Sequence, residues 1–283
     1  MRIFLTGADG QLGHELQRVL RDDELLLGIW PKFDVREDAA VERIVAARPG
    51  VVIHTAAYTD VDGAEREPET AWAINAEGTE RVARAAAKAG ARLITLSTDY
   101  VFDGRETRPY TEEDPPNPLN AYGRSKLEGE RRALAACSRT LVVRTAWLYG
   151  RHGKNFVTSI MRQASSGIPL RVVVDQRGCP TAAPDLAEAI SYLLRRTNAA
   201  GILHAVGAGD CTWHEFAEAI VQDMGVRTPV MAIRSEELSR PAVRPAYAVL
   251  SIDRLAAAGY AMPPWRESLT RFIKEQVVAH AGS

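Results

Sequence analysis

The chain has 283 residues, 46% of them hydrophobic, and sets 35 Lys and Arg against 36 Asp and Glu for a net charge of −1. That length buries one large core, or one core and a small satellite, and the near-neutral balance excludes a global field that would recruit nucleic acid or an anionic membrane. Three scattered cysteines, Cys137, Cys179 and Cys211, form no CxxC pair, which argues against a disulfide frame or a zinc site and for passive, reduced thiols. Met1-Arg2 passes straight into an apolar run ending at Thr6-Gly7, too short for a signal or a membrane span, so a cytoplasmic location is expected.

Five short apolar runs follow in order: Ile3 to Leu5, Leu25 to Trp30, Val51 to Thr55, Leu93 to Ser97 and Leu141 to Thr145. They lack period-two alternation, so they read as strands buried on both faces of a parallel sheet. Helical patterns alternate with them: Glu15 to Leu20, Ala39 to Ala47 stopping at Pro49-Gly50, and Ala83 to Ala89 stopping at Gly90. Asn117-Pro118 predicts a further helix start, with Asn as N-cap and Pro at the first turn. The rhythm defines an α/β fold, a Rossmann-type doubly wound parallel sheet spanning residues 1–150. Beyond residue 150, Asn155 to Ser166 and Pro184 to Arg196 still read as helices, between loops rich in Gly, Pro and Arg. Residues 151–283 are therefore expected to form mainly a smaller substrate-binding lobe, with about 185–210 returning to the first domain and Gly201 to His204 rejoining its sheet.

Directly after the first strand comes Thr6-Gly7-Ala8-Asp9-Gly10-Gln11-Leu12-Gly13, a G-x-x-G-x-x-G loop that opens a helix. Glycines there let the backbone approach a pyrophosphate, and the helix N-terminus offers it unpaired N–H groups. A carboxylate for the ribose 2′-hydroxyl is expected at the end of the second strand, yet the chain reads Ile29-Trp30-Pro31-Lys32, with Asp34 the first acid. A missing acid and a present cation favour a 2′-phosphate, hence NADPH over NADH, with Lys32 or Arg36 nearby and Asp34 beside the adenine. Lys32 as an ordinary solvated lysine weighs nearly as much. Ala56, Ala57 and Tyr58 follow the third strand, small enough at the alanines to admit the cofactor.

Ser97-Thr98-Asp99-Tyr100-Val101-Phe102 closes the fourth strand, and Tyr122-Gly123-Arg124-Ser125-Lys126 follows a Pro-rich loop. Tyr122 and Lys126, four apart on one helix face, point into the same space. Ketone reduction needs a hydride and a proton; a phenol with pKa about 10 serves as the acid when a cation such as Lys126 stabilises its phenolate. Lys126 can also bind the nicotinamide ribose, and Thr98 can orient the carbonyl. His54 reads as a packed histidine, and Trp213-His214-Glu215 as aromatic packing behind a Thr212 N-cap.

The segments T-G-A-D-G-Q-L-G, A-A-Y-T-x-V-D-x-A-E, S-T-D-Y-V-F-D-G, N-x-Y-G-x-S-K-L-x-G-E, R-T-A-W-L-Y and D-Q-x-G-x-P-T, in this order along nearly the whole chain, resemble the dTDP-4-dehydrorhamnose reductase family of the short-chain dehydrogenase superfamily. The resemblance implies catalytic roles for Thr98, Tyr122 and Lys126. It also implies cofactor contacts at Gly10, Gln11, Leu12, Asp34, Val35, Ala56, Ala57, Tyr58, Tyr122 and Lys126. On the substrate side it implies contacts with a dTDP-sugar at Thr98, Asp99 and Trp147, with Asn155 and Arg244 as further substrate candidates. Some members are similar in holding Mg²⁺ between subunits through glutamates at the positions of Glu15, Pro184 and Glu275. Pro184, beside Asp185, departs from that pattern, so no metal is expected, Glu15 and Glu275 become helix-surface charges, and the chain is expected to be a monomer or weak homodimer. Two alternatives share the fold. A sugar-nucleotide epimerase or dehydratase would retain its cofactor, and dehydratases pair two acids after the threonine where this chain has Asp99-Tyr100. A non-catalytic NADP-binding subunit would have lost part of the Thr98, Tyr122 and Lys126 set, which is intact.

Overall fold

A computed structural model describes residues 1–281, and side chains through residue 276. Strand β1 (Arg2–Thr6) leads into α1 (Gln11–Val19), β2 (Glu24–Gly28), α2 (Asp38–Ala47) and β3 (Val51–His54). Two short helices, α3 (Val61–Arg66) and α4 (Pro68–Trp72), pass through a π-helical turn at Ala73–Gly78 into α5 (Thr79–Lys88). Strand β4 (Arg92–Thr98), helix α6 (Ala121–Ala136) and β5 (Thr140–Thr145) follow. The remainder carries β6 (Leu148–Tyr149), α7 (Phe156–Ala164), β7 (Leu170–Val173), β8 (Arg177–Gly178), β9 (Thr181–Ala182), α8 (Ala183–Arg196), β10 (Gly201–His204), β11 (Cys211–Thr212), α9 (Trp213–Asp223), β12 (Val230–Ile233), α10 (Asp253–Ala257) and α11 (Trp265–Ala281).

Six of these strands form one parallel sheet in the order β10-β5-β4-β3-β1-β2. Along β1 the side chains alternate between two buried layers. Ile3 and Leu5 pack with Leu12 and Leu16 of α1 and Leu186 and Ile190 of α8. Phe4 instead joins Ala40 and Ile44 of α2 and Val82, Ala83 and Ala86 of α5. Each fully buried Leu or Ile contributes about 1.5–3 kcal/mol, and the alanine face of α5 lets that helix lie close to the sheet. A separate cluster gathers Val157 and Ile160 of α7, Phe216 and Ile220 of α9, and Leu269, Phe272 and Ile273 of α11.

Several boundaries differ from the sequence reading, among them the start of α5 at Thr79 instead of Ala83, and three have a visible cause. Helix α1 begins at Gln11, four residues before the expected Glu15, because Gly10 holds an extended conformation and caps it. Strand β2 stops at Gly28, not Trp30; Phe33 folds back over the strand end, where its ring would lie 2.9 Å from a Cβ on Gly28. Ile29 and Trp30 are exposed in consequence. Helix α6 starts after Asn120, whose side chain accepts from the Gly123 N–H at 2.8 Å, and not after Asn117. Asn117 is used in the preceding loop, its N–H donating to the Val101 carbonyl and its amide to Asp103.

Candidate active site

The strand order reverses between β1 and β3, and open α/β sheets bind ligands beyond the carboxyl ends of their strands at such a switch point. Gly7 lies there with φ +65°, and a Cβ on it would stand 2.6 Å from the Ala56 nitrogen. A Cβ on Gly13 would stand 2.3 Å from the Gly7 carbonyl oxygen. Only glycine permits this close passage of the loop over β3 and α1 over the loop. Gly10 caps α1 without any side-chain hydrogen bond, which leaves the first-turn N–H groups for an anion. The cradle therefore fits a dinucleotide pyrophosphate.

Farther along the crevice, Asp34 accepts from Arg36 at 2.9 Å (Nε) and 2.6 Å (Nη2), which holds its carboxyl below the ordinary aspartate range. The Arg36 guanidinium also lies 5.4 Å from the centre of the Trp30 ring. Asp34 is thus already neutralised by a neighbouring cation. Lys32 is exposed, and its carbonyl accepts from Arg43. Val35 is buried and would sit 2.7 Å from a Cβ on Gly78. Ala56 and Ala57 line the turn after β3, and both backbone groups of Tyr58 bond the Asn75 amide, at 2.9 and 3.0 Å. Asn75 also donates to Ser125 of α6 at 3.0 Å. This asparagine, aimed inward by the π-helical turn, joins the cofactor side of the sheet to the helix of Tyr122, and no motif in the sequence singled it out.

Thr98 ends β4 opposite Thr145 of β5. Its hydroxyl donates to Asp99 at 2.9 Å and accepts from the Tyr100 N–H at 3.2 Å. Asp99 is buried with one carboxylate oxygen lacking a hydrogen-bond partner, and burial pushes its carboxyl up to about 7. Tyr122 is packed edge-on by Tyr100, ring centres 5.6 Å apart. Burial raises its phenol well above the ordinary tyrosine range, and the Thr98 hydroxyl acts in the opposite direction. Lys126 is buried, its ammonium donating to the Leu96 carbonyl at 2.7 Å; burial lowers it to about 8, with Glu130 opposing. One of the three Lys126 N–H donors is thus directed at the sheet, leaving two, and the expected support of the Tyr122 phenolate is not among the influences on that phenol in this state.

Burial, and then the Lys126 charge, drive His54 down to about 3, so it is neutral; it bonds Thr6 at 2.7 Å and Thr79 at 3.1 Å as a packed histidine. Helix α6 is itself fastened to β5 by a fully buried pair, Glu130 with Arg144, at 2.9 and 2.7 Å.

On the other side of the crevice, Arg244 pairs with Asp62 at 2.8 Å, which ties the loop of residues 238–247 to α3. Trp147 follows β5 with φ +46° and stacks on Trp213. Asn155 is the N-cap of α7, accepting from Thr158 N–H at 3.0 Å, and its amide donates to Gln11 at 3.0 Å. Gln11 thereby connects the nucleotide loop to the segment after β6.

Glu15 and Glu275, at two of the positions that the sequence resemblance ties to a metal, and Asp185, next to Pro184 at the third, are each engaged with an arginine. Glu15 accepts from Arg18 at 2.9 Å, Asp185 accepts from Arg271 and from Ser268, and Glu275 accepts from Arg151 at 2.6 Å. Glu15 is not the helix-surface charge expected, being only 6% exposed, because α1 packs lengthwise on α8. Glu275 does lie at the surface.

A doubly wound sheet that brings a glycine cradle and a Tyr-Lys helix to one edge is the architecture of the short-chain dehydrogenases, enzymes that work with a nicotinamide dinucleotide. A family model described as the RmlD substrate binding domain matches residues 1–278. The chain is 43% identical over 278 residues to the dTDP-4-dehydrorhamnose reductase of Mycobacterium tuberculosis H37Rv, covering 95% of this chain and 91% of that protein. It is 42% identical to a probable dTDP-4,6-dihydroxy-2-methyloxan-3-one 4-ketoreductase of Streptomyces antibioticus, covering 95% and 93%. A crystal structure of the Bacillus anthracis dTDP-4-dehydrorhamnose reductase in complex with NADP matches with a TM-score of 0.94 at 38% identity, covering 97% of this chain and 99% of that one. The chain belongs to the dTDP-4-dehydrorhamnose reductase family.

Proposed function

We propose that this protein is an NADPH-dependent dTDP-4-dehydrorhamnose reductase, which converts the C4 ketone of dTDP-4-dehydro-6-deoxy-L-mannose to the alcohol of dTDP-L-rhamnose. The observation that carries the reading is the placement of Thr98 at the end of β4 beside the Tyr122 phenol, with Lys126 one helical turn on and the Gly7 to Gly13 cradle at the neighbouring strand ends. The cradle, with Val35, Ala56, Ala57 and Tyr58, holds the dinucleotide, and Arg36 or Lys32 meets its 2′-phosphate. When bound, NADPH supplies a hydride to the carbonyl carbon.

The Thr98 hydroxyl then donates to the carbonyl oxygen and fixes its direction. Tyr122 transfers its phenolic proton to the oxygen as negative charge grows there, so ketone, hydride and proton sum to the alcohol. Lys126, near its own titration point at neutral pH, holds positive charge along the wall on which the phenolate forms. Asp99, with an acceptor oxygen to spare, takes a sugar hydroxyl. Residues 1–150, with about 185–210 (α8 and β10) returning to them, form the dinucleotide domain, and most of the rest of 151–283 forms the substrate lobe, with Trp147, Asn155 and Arg244 on the substrate side. Among the described residues no helix is long and apolar enough to cross a membrane, and we place the enzyme in the cytoplasm as a monomer or weak homodimer.

Initial rates of NADPH oxidation with the keto-sugar nucleotide test this. Tyr122→Phe keeps the ring and removes the proton donor, so kcat is expected to fall on the order of 10²-fold or more, with NADPH affinity retained. A Tyr122→Phe enzyme with near-normal turnover overturns the assignment of the acid.

A further inference from the structure

Strand β5 ends at Thr145, in register with Thr98, so the residues just after it stand beside the reacting end of the crevice. Trp147 is the second of them, and its φ of +46° is a left-handed conformation that side-chain-bearing residues rarely adopt. Such a conformation persists where the surroundings over-determine it. Two surroundings do so here. The Trp213 ring lies parallel to the Trp147 ring, 3.5 Å between centres and 8° between planes. Gly178 lies against the Trp147 indole, where a Cβ would come within 2.7 Å of Cε2 and 2.8 Å of Nε1.

These two contacts are held to each other. Strands β8 and β11 pair Gly178 with Cys211 and Arg177 with Thr212. Trp213 opens α9 immediately after a capping box, in which Thr212 accepts from the Glu215 N–H at 3.1 Å and Glu215 accepts from the Thr212 N–H at 2.6 Å. Its own N–H donates to the Gln176 carbonyl at 3.3 Å, and Phe156 closes on its ring at 4.4 Å. The Thr181 N–H donates to the Trp147 carbonyl at 3.3 Å. Gln176, Gly178 and Thr181 therefore tie one segment to Trp213, to the Trp147 indole and to the Trp147 backbone in turn. Aromatic packing alone does not require a strained backbone and a glycine at the same spot.

We propose that Trp213 and Gly178 are positioning residues that clamp the Trp147 indole as a rigid wall for the sugar end of the substrate. The proposal rests on the reading that Trp147 meets the sugar. A wall held in one orientation before binding spares the ordering cost that a mobile indole would incur when substrate arrives, and small displacements of a positioning group carry large rate penalties.

Three variants test it. Trp213→Leu keeps the capping box and removes the stacked ring, Trp213→Phe restores a flat ring, and Gly178→Ala pushes a methyl into the indole. Far-ultraviolet circular dichroism of the ligand-free protein reads the stack through the exciton couplet of two parallel indoles, and thermal melting reports whether each variant folds. The couplet is expected to disappear in Trp213→Leu. KM for the sugar nucleotide should rise on the order of tenfold or more in Trp213→Leu and Gly178→Ala, with the dissociation constant for NADPH unchanged, and Trp213→Phe should recover most of the loss. Loss of the couplet with an unaltered sugar KM in a folded Trp213→Leu overturns the clamp. So does an equal loss of NADPH and sugar binding. Should Trp213→Leu fail to fold, Gly178→Ala decides alone on the same KM comparison. Trp147→Ala separates the premise: an unchanged sugar KM in that variant shows that Trp147 does not meet the sugar, whereas a raised KM there with a normal one in the other variants refutes the clamp only.

Discussion

Replacing Lys126 with Met is expected to inactivate the enzyme and stabilise its fold. Lys126 is 7% exposed, and burial brings its ammonium from 10.5 down to about 8. A shift of that size, at 1.36 kcal/mol per unit, corresponds to about 3 kcal/mol of unfavourable burial carried by the folded state at neutral pH. Against this stands the hydrogen bond to the Leu96 carbonyl, worth about 1 kcal/mol net. Lys126→Met removes both, for a gain of about 2 kcal/mol, and at 2–4 °C per kcal/mol for a chain near this size Tm should rise roughly 4–8 °C. The pH dependence has a definite sign. Above about 8 the folded lysine sheds its proton while the unfolded one keeps it up to 10.5, so the wild type gains stability relative to the variant across that window. Urea midpoints at pH 7 and at pH 10 measure both effects. A variant less stable than wild type at pH 7, or an advantage that grows with pH, would refute the reasoning that Lys126 is held at the site against its own burial cost.

Arg36→Ala removes the guanidinium at the end of the crevice beside Trp30 and should raise KM for NADPH about tenfold, the order of one charge-assisted contact, while leaving KM for NADH unchanged; equal effects on both cofactors would assign the 2′-phosphate elsewhere. Glu130→Gln leaves Arg144 as an uncompensated charge in the core, with one guanidinium nitrogen already lacking a partner, and should cost about 3–5 kcal/mol in denaturant unfolding. Chelation by EDTA should alter neither turnover nor light-scattering mass, because Glu15, Asp185 and Glu275 are each engaged by an arginine; dissociation or lost activity on chelation would show a metal bridge.

Features written in adjacent residues were legible in the sequence. The glycine loop, the alternation of strands and helices and the spacing of Tyr122 and Lys126 are all local patterns, and the parallel sheet follows from apolar runs that are buried on both faces in β1, β3, β4 and β5; β2, at the sheet edge, is only partly buried, because no strand covers its outer side. The helix start was misjudged because Asn117-Pro118 is the stronger local signal, yet the loop after β4 engages Asn117 and leaves the cap to Asn120. Long-range pairings left no mark. Asp62 and Arg244 are 182 residues apart, and the burial of Glu15 depends on α8 lying along α1. Asn75 acquires its place from a π-helical turn that Ala73 to Gly78 do not announce. The Trp147 and Trp213 stack was half visible, since Trp213 reads as packing from sequence, but its partner lies far off in the chain, in the bend between β5 and β6.

The central claim is net reduction of a sugar ketone at the cost of one nicotinamide cofactor per turnover. Purified protein incubated with dTDP-4-dehydro-6-deoxy-L-mannose and NADPH deuterated at the transferred position, with the product examined by nuclear magnetic resonance, tests it most directly. One equivalent of NADPH consumed and one deuterium at C4 of the product is the result expected. Conversion of the sugar without NADPH consumption, the outcome for an epimerase that recycles its cofactor, would contradict it.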